Sequence, residues 1–400
     1  MSTQFLYVPL ALFMRLYRKL WLRVCLYAIG SLLVAVVGPW SAKLLPDSVS
    51  MTLPSSAVMP ILTILASSML AVSTFSLNVM VSAHRAAAQN TTPRVHRLLL
   101  EDTTTQSVLA IFIGAFVYAL TSIVLTQMGF YTSEALLALM GVTVLIVALV
   151  IGAILRWIEH LSTLGSHDDT LALVRNRTQA RFKTYRKKPA FGALPMTDAV
   201  VMPDICTDIV APRSGYIQLL DVHGLSGATP DRSTTYILHV PGQHVLKGTV
   251  LAQVSGNHSD AILSTIQSHF TLGDQRSFEQ DPLLGLQILS EIASRALSPG
   301  INDPGTAIQV INTLTTVLWE ASHIEPEPPE TCVQNIVVSA LSGVDILDTA
   351  FSAIARDGAS LAEVQTTLQT ALIALKTSPD IDMSDAAQKL LERFRSNCPT

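Results

Sequence analysis

"AVMPILTILASSMLAVSTFSLNVMVSA", residues 57–83, is apolar along its whole length, yet it carries hydroxyls and one amide at helical spacing. About 20 mostly apolar residues suffice to cross a bilayer, so this stretch reads as a membrane span. At about 100° per residue, Thr63, Ser67, Thr74, Asn78, Ser82 and Arg85 fall within about a third of its circumference. Such a stripe has two readings. Small hydroxyls let helices approach and hydrogen-bond across a bilayer interface. Alternatively, Ser67, Thr74, Asn78 and Ser82 line a polar path when several copies assemble. Asn78 is the residue least easily assigned to packing alone.

Outward from this helix, the spans expected next are 24–44, 106–130 and 135–155, four in all, within residues 1–164. A chain of 400 residues that is 49% apolar and 14% charged fits such a membrane domain. Arg15, Arg18, Lys19 and Arg23 precede the first span, but its apolar run is long and Trp40 spoils a small-residue cleavage pattern before Ala42. An uncleaved helix is therefore expected rather than a signal peptide. The apolar stretches hold no Asp, Glu, Lys or Arg, which argues against a proton-coupled carrier. Basic residues gather before the first span, in the loop after the second (Arg85, Arg94, Arg97) and after the fourth, so both termini are expected in the cytoplasm.

Residues 165–204 form a basic linker, and "RNRTQARFKTYRKK", residues 175–188, is its densest part. Residues 189–400 instead carry 23 Asp and Glu against ten Lys and Arg. A phosphate backbone would be repelled by that acidic region, so nucleic acid is not expected. Anionic lipid headgroups are the expected partners of Arg94, Arg97, Arg181, Lys187 and Lys188. Cys25, Cys206, Cys332 and Cys398 are scattered without CxxC or His pairing, so neither a disulfide framework nor a metal site is expected. His167, Asp168 and Asp169 read as a solvated turn.

Within residues 205–256, "VAPRSGYIQ" and "HVPGQHVLKGTVLAQV" alternate β-branched and polar residues between turns and look like the two half-motifs of a biotinyl or lipoyl barrel. A carrier needs its lysine at a protruding hairpin tip. Lys247 reads as a turn residue inside the second half-motif, so no cofactor is expected. Residues 257–400 read as a helical bundle with helices over 282–297, 304–321, 333–356, 360–376 and 384–396. Asp357-Gly358 closes the third of these, and Ser360 with Glu363 is expected to form a capping box for the next. The fold class expected is thus a four-helix membrane domain followed by a cytoplasmic α+β region, a small all-β barrel plus a helical bundle.

"RALSPGINDPGTAIQV", residues 295–310, joins two of these helices. Pro299 must take the chain out of helix, Gly300 is expected to permit the reversal, and Asp303 and Pro304 start the next helix. That accounts for a rigid corner but leaves Asn302, Gly305 and Thr306 unexplained. The loop is therefore also a candidate site, formed by Gly300, Asn302, Asp303 and Thr306 with Glu279 and Asp281 of "RSFEQD" brought alongside.

Four stretches carry a resemblance: residues 67–120, "RSGYIQLLD", "PGQHVLKGTVLAQV" and "RSFEQDPLLGLQILSEIASRALSPGINDPGTAI". They are similar to a bacterial family of predicted membrane proteins, domain of unknown function 2254. The resemblance implies an N-terminal membrane domain in the inner membrane with a cytoplasmic C-terminal region, and no settled activity. The sequence holds no HExxH, GxSxG or Walker loop, so no enzyme is expected and no catalytic residue is assigned. The expected function is an oligomeric channel-like protein with a cytoplasmic gating domain, its permeant ion or small ligand unassigned. The alternative is a membrane-anchored sensor or scaffold without transport.

Overall fold

Apolar residues at helical spacing build the first unit. In the computed structural model, residues 20–37, 54–90, 94–95, 103–163, 166–197, 200–328 and 332–397 are described. The chain divides into Met1–Thr170 and Leu171–Thr400. The first unit contains α1 (Leu20–Val37), α2 (Ser55–Asn90), α3 (Thr103–Gln127) and α4 (Ser133–Thr163). Helix α3 is central and touches the other three. Half of its most apolar window is buried, against 33% for α2 and 28% for α4. Val58, Leu62, Leu65 and Met69 of α2 meet Val108, Phe112 and Tyr118 of α3 and Leu139 of α4 in one core.

Three of these helices, not four, are long and apolar enough to cross a membrane: Ser55–Ala83, Thr104–Gln127 and Ala135–Leu161. The apolar part of α1, Trp21–Val37, is shorter. At about 1.5 Å per residue it falls short of a hydrocarbon core about 30 Å thick. Residues 38–44 of the span expected there lie outside the described residues.

The second unit starts with α5 (His167–Lys187), which crosses the division. Its start corrects the turn expected at His167–Asp169: Ser166 caps the helix by accepting from the Asp169 amide at 3.0 Å, and Asp168 and Asp169 lie in its first turn, where carboxylates suit the helix dipole. Then come β1 (Ala193–Pro195), β2 (Cys206–Val210), β3 (Gly215–Leu220), α6 (Val222–Ala228), β4 (Thr235–Ile237), β5 (His244–Val245), β6 (Val250–Ser255), α7 (Asp260–Gln267) and β7 (Phe270–Gly273). Helices α8 (Leu283–Ala296) and α9 (Pro304–Ser322) precede β8 (Val333–Val338), and α10 (Gly343–Asp357), α11 (Ala362–Lys376) and α12 (Ile381–Asn397) complete the described fold.

These strands do not close into the expected barrel. They form a mixed sheet of five, ordered β1-β8-β4-β6-β2, and a separate antiparallel sheet of three, ordered β5-β3-β7. The half-motifs fail to pair as a barrel because β3 hydrogen-bonds to β5 and β7, whereas β6 pairs with β2 and β4. Ile217, Leu220 and Val245 from the smaller sheet and Ile209, Ile237, Leu251 and Val254 from the larger share one apolar core.

The central position of β8 is the largest departure from expectation. Residues 333–356 do not form one helix, because "VQNIVV" inserts as a strand parallel to both β1 and β4. Its last three residues are buried. The chain then breaks at Ser342, whose hydroxyl accepts from the Asp345 amide while the Asp345 carboxylate accepts from the Ser342 amide, a reciprocal cap. The capping box expected at Ser360 and Glu363 is absent, since Leu361 occupies that N-cap without a side-chain bond. Gly358 does close α10, its amide donating to the Ile354 carbonyl.

Candidate functional site

Helix α2 buries one side and shows the polar stripe on the other. Thr63, Ser67, Thr74, Asn78, Ser82 and Arg85 are all exposed, while Val58, Leu62, Leu65 and Met69 are buried. At about 100° per residue the two sets lie on opposite sides of the helix. Among the described residues, the stripe is therefore not packing surface. From Thr63 to Arg85 it runs about 33 Å along the axis, a full hydrocarbon thickness.

Three hydroxyls on this face bond back to their own helix. Thr63 Oγ1 donates to the Met59 carbonyl at 2.9 Å, Ser67 Oγ to the Thr63 carbonyl at 2.9 Å and Thr74 Oγ1 to the Ala71 carbonyl at 2.9 Å. Asn78 and Ser82 differ, because no hydrogen bond joins either side chain to another described residue. On the opposite, buried side, Ser73 and Ser76 have hydroxyls without a hydrogen-bond partner among the described residues. Helical angle could have flagged this second polar set, which the single-stripe reading passed over. Within the same core, the Tyr118 and Thr143 hydroxyls meet at 2.9 Å, and Tyr131 donates to the Ala35 carbonyl at 2.8 Å.

The loop after α8 accounts for itself residue by residue. Gly300 is not the reversal point, because its φ is not in the left-handed region and a Cβ there would meet open space. That role falls to Asn302, with φ of 50°, a conformation Asn tolerates better than most side chains. Its amide donates to the Ser298 carbonyl at 2.9 Å, and the Asp303 amide returns to the Ala296 carbonyl at 2.8 Å. Asp303 caps α9 with both oxygens, accepting from the Thr306 amide at 3.1 Å and the Thr306 hydroxyl at 2.6 Å. A Cβ on Gly305 would sit 3.3 Å from the Asp303 carboxylate, a tight contact from which the capping side chain would have to shift slightly.

Asp281 is held in a different set of bonds. It is 1% exposed and accepts from Arg276 Nε at 2.6 Å and Nη2 at 2.8 Å, a bidentate pair. Its Oδ1 also takes the amides of Leu283 at 3.0 Å and Leu284 at 3.1 Å at the start of α8. Gly242, with φ of 99°, packs against this carboxylate so closely that a Cβ would lie 2.5 Å from Oδ2. Asp281 thereby ties the sandwich to the helices. Burial pulls the Arg181 guanidinium below its usual value, opposed by the nearby Glu279 and Asp281 carboxylates. The hydrogen bonds place Asp303 and Thr306 together at the start of α9 and Asp281 with Arg276 at the start of α8.

The basic run lies on α5, where Thr178 and Phe182 are fully buried and Tyr185 nearly so. Helix α8 approaches so closely that a Cβ on Gly285 would clash with Thr178. Arg186 pairs with Asp380 at 2.6 Å, Lys188 with Glu327 at 3.5 Å, and Gln179 donates to Glu320. Of the residues expected at lipid, Arg181 and Lys188 thus face carboxylates of their own unit. Lys187 is exposed and Arg94 half-buried, while Arg97 lies outside the described residues. Lys247 occupies the turn between β5 and β6, its amide donating to Ser214 Oγ at 2.9 Å.

A family described as predicted membrane protein (DUF2254) matches residues 17–374. Uncharacterized proteins of Mycobacterium tuberculosis and Mycobacterium bovis are each 30% identical over 252 residues, covering 61% of this chain and 48% of theirs. The chain spans about half the length of the curated relatives it matches. No solved structure matches it.

Proposed function

The chain belongs to the DUF2254 family of predicted membrane proteins, and from that premise we propose that several copies assemble into a channel-like oligomer, not an enzyme, with the unit from Leu171 onward as its cytoplasmic regulatory domain. The observation that carries this reading is Asn78, an exposed amide without a described partner on a face directed away from the protomer's own core. An amide left bare in hydrocarbon costs several kcal/mol or about 1–3 kcal/mol by protein mutational scales. Water in a pore or a neighbouring copy of α2 removes that cost. A stripe as long as the bilayer is thick favours the pore, because a packing patch need not extend so far. The acidic excess of residues 189–400 would enrich cations at the mouth.

Orientation follows from the same reading. Arg85 and Arg94 after α2, and the run from Arg175 after α4, are proposed to lie on the cytoplasmic side. Impermeant thiol labelling of a single cysteine at position 90 in intact cells should give no signal; labelling there would overturn the orientation.

The second reading, a membrane-anchored sensor, is favoured by the Thr63, Ser67 and Thr74 hydroxyls bonding back to their own helix, which makes them tolerable in lipid. Reconstituted liposomes decide between the two. Asn78→Leu and Thr74→Leu should alter cation flux while leaving the amount of folded protein unchanged. Well-folded wild type that passes neither cations nor anions would favour the sensor.

A further inference from the structure

We propose that a cavity where the end of α5 meets the sandwich binds a small phosphate-bearing anion through Lys187, Lys188 and His223. This inference concerns the second unit alone and goes beyond the membrane reading. The cavity has a volume of about 50 Å³ and is lined by Lys187, Lys188, Phe191, His223, Glu327 and Cys332 among others. That is room for about four water molecules, the scale of one tetrahedral anion.

The charge of the lining points to an anion. The lining includes two lysines and a histidine against a single acidic residue, Glu327. Glu327 holds Lys188 only loosely, at 3.5 Å, with side chains 53% and 41% exposed, and such a pair is easily exchanged for a stronger acceptor. No ion pair joins the Lys187 ammonium to a described carboxylate. Each lysine is a compact charge with three donors, suited to a phosphate oxygen.

The walls are fixed before any ligand arrives. Below the lysines, Ala190 and Phe191 adopt left-handed conformations with φ of 52° and 59°, followed by Gly192 at 87°. Two non-glycine residues in that region persist only where their surroundings over-determine them. Here Ala190 is fully buried, and Phe191 packs on the sandwich core with its ring 5.9 Å from that of Tyr185. Glu327 is pinned by its own amide, which donates to the Lys187 carbonyl at 2.8 Å. His223 rides on α6, and Cys332 leads directly into β8. A pocket built on such elements loses little ordering entropy when it is filled.

A free phosphate ester and a lipid headgroup present the same chemistry, and labelling of Cys332 separates them. Cys332 lies in the cavity, and Cys206, similarly half-exposed, is an internal control outside it. The full chain in a neutral detergent is alkylated with N-ethylmaleimide and each site read by mass spectrometry, with inorganic phosphate or with chloride at equal ionic strength. The same measurement follows in vesicles of phosphatidylcholine with and without phosphatidic acid. Slower labelling of Cys332 but not Cys206 with inorganic phosphate assigns a soluble ligand. Slower labelling only with phosphatidic acid assigns a headgroup. In either case K187A/K188A should raise the half-protecting concentration by about tenfold or more, the scale of losing hydrogen bonds from charged donors. Glu327→Gln removes the competing carboxylate and should lower it. Absence of protection in both arms overturns the proposal, as does protection that survives K187A/K188A. If that double variant fails to fold, an unchanged half-protecting concentration in Glu327→Gln overturns it equally.

Discussion

The outer face of α2 and the polar positions of α5 look alike as sequence, each a set of hydrophilic residues at helical spacing, but the protein treats them in opposite ways. On α5, Arg186 reaches Asp380, Lys188 reaches Glu327 and Arg181 lies beside Glu279 and Asp281. On α2, the Thr63, Ser67 and Thr74 hydroxyls close on their own backbone and the Asn78 amide has no hydrogen bond to a described residue. The lesson concerns where a polar group finds its partner. The polar groups of α5 are satisfied by side chains of their own unit, whereas on α2 three hydroxyls are satisfied by their own backbone and the Asn78 amide is left exposed.

The largest expected effect comes from breaking the most tightly held pair near α5. Arg276→Ala leaves the Asp281 carboxylate buried without its bidentate partner, and removing one member of a buried pair costs about 3–5 kcal/mol. Chemical denaturation of the second unit's signal should show a loss of that size. Asn78→Leu on α2, read from the first unit's own signal, should change its stability by no more than about 0.5 kcal/mol. If Asn78→Leu destabilises as strongly as Arg276→Ala, the stripe is satisfied inside the protomer and the contrast between the helices collapses.

An intermediate effect is expected at the corner between α8 and α9. Asn302→Ala places an ordinary side chain at φ of 50° and should cost about 1 kcal/mol, read as a lower melting temperature. Asn302→Gly should be close to neutral. Gly300→Ala should change little, because a Cβ there meets nothing. A larger loss at Gly300 than at Asn302 would restore the reversal to the glycine.

Much of this was legible in the sequence, and the failures have physical causes. Helices α8 and α9 could be placed because their apolar residues repeat at helical spacing, and Asp303-Pro304 announced a cap that the structure contains. Strand β8 was not legible. "VQNIVV" is short and apolar at one end, a pattern shared by a buried strand and the start of a helix, and its strand partners lie about 100 residues or more away in β4 and β1. The barrel failed for the same reason. Half-motifs show where strands are but not which neighbours they choose, and both sheets need segments outside residues 205–256. The Asp281 pairing is equally non-local in its consequence, since only the fold brings Gly242 against it. On α2, period alone separated polar from apolar, but only the packing of α3 and α4 showed that the stripe faces outward.

The smallest expected effect tests whether even a half-exposed carboxylate in the second unit is partnered. Asp357 ends α10, where the helix dipole disfavours a negative charge. It is held by Arg356, whose Nε donates at 2.7 Å and Nη2 at 3.1 Å, and by the Ser294 hydroxyl of α8 at 2.6 Å. The Arg356 bonds are the main reason its carboxyl lies below the ordinary value of 3.8, with burial opposing and Ser294 assisting. A carboxylate depressed in the folded state binds its proton more readily when unfolded, so its contribution is complete above about 3.8 and is lost as pH falls through the lower folded value. Wild type should therefore exceed Asp357→Asn in denaturation midpoint by a constant margin between about pH 7 and pH 5, and that margin should shrink at about pH 3. A margin that instead widens on acidification would mean that Asp357 is more comfortable protonated in the fold, and that the bonds from Arg356 and Ser294 do not hold its charge.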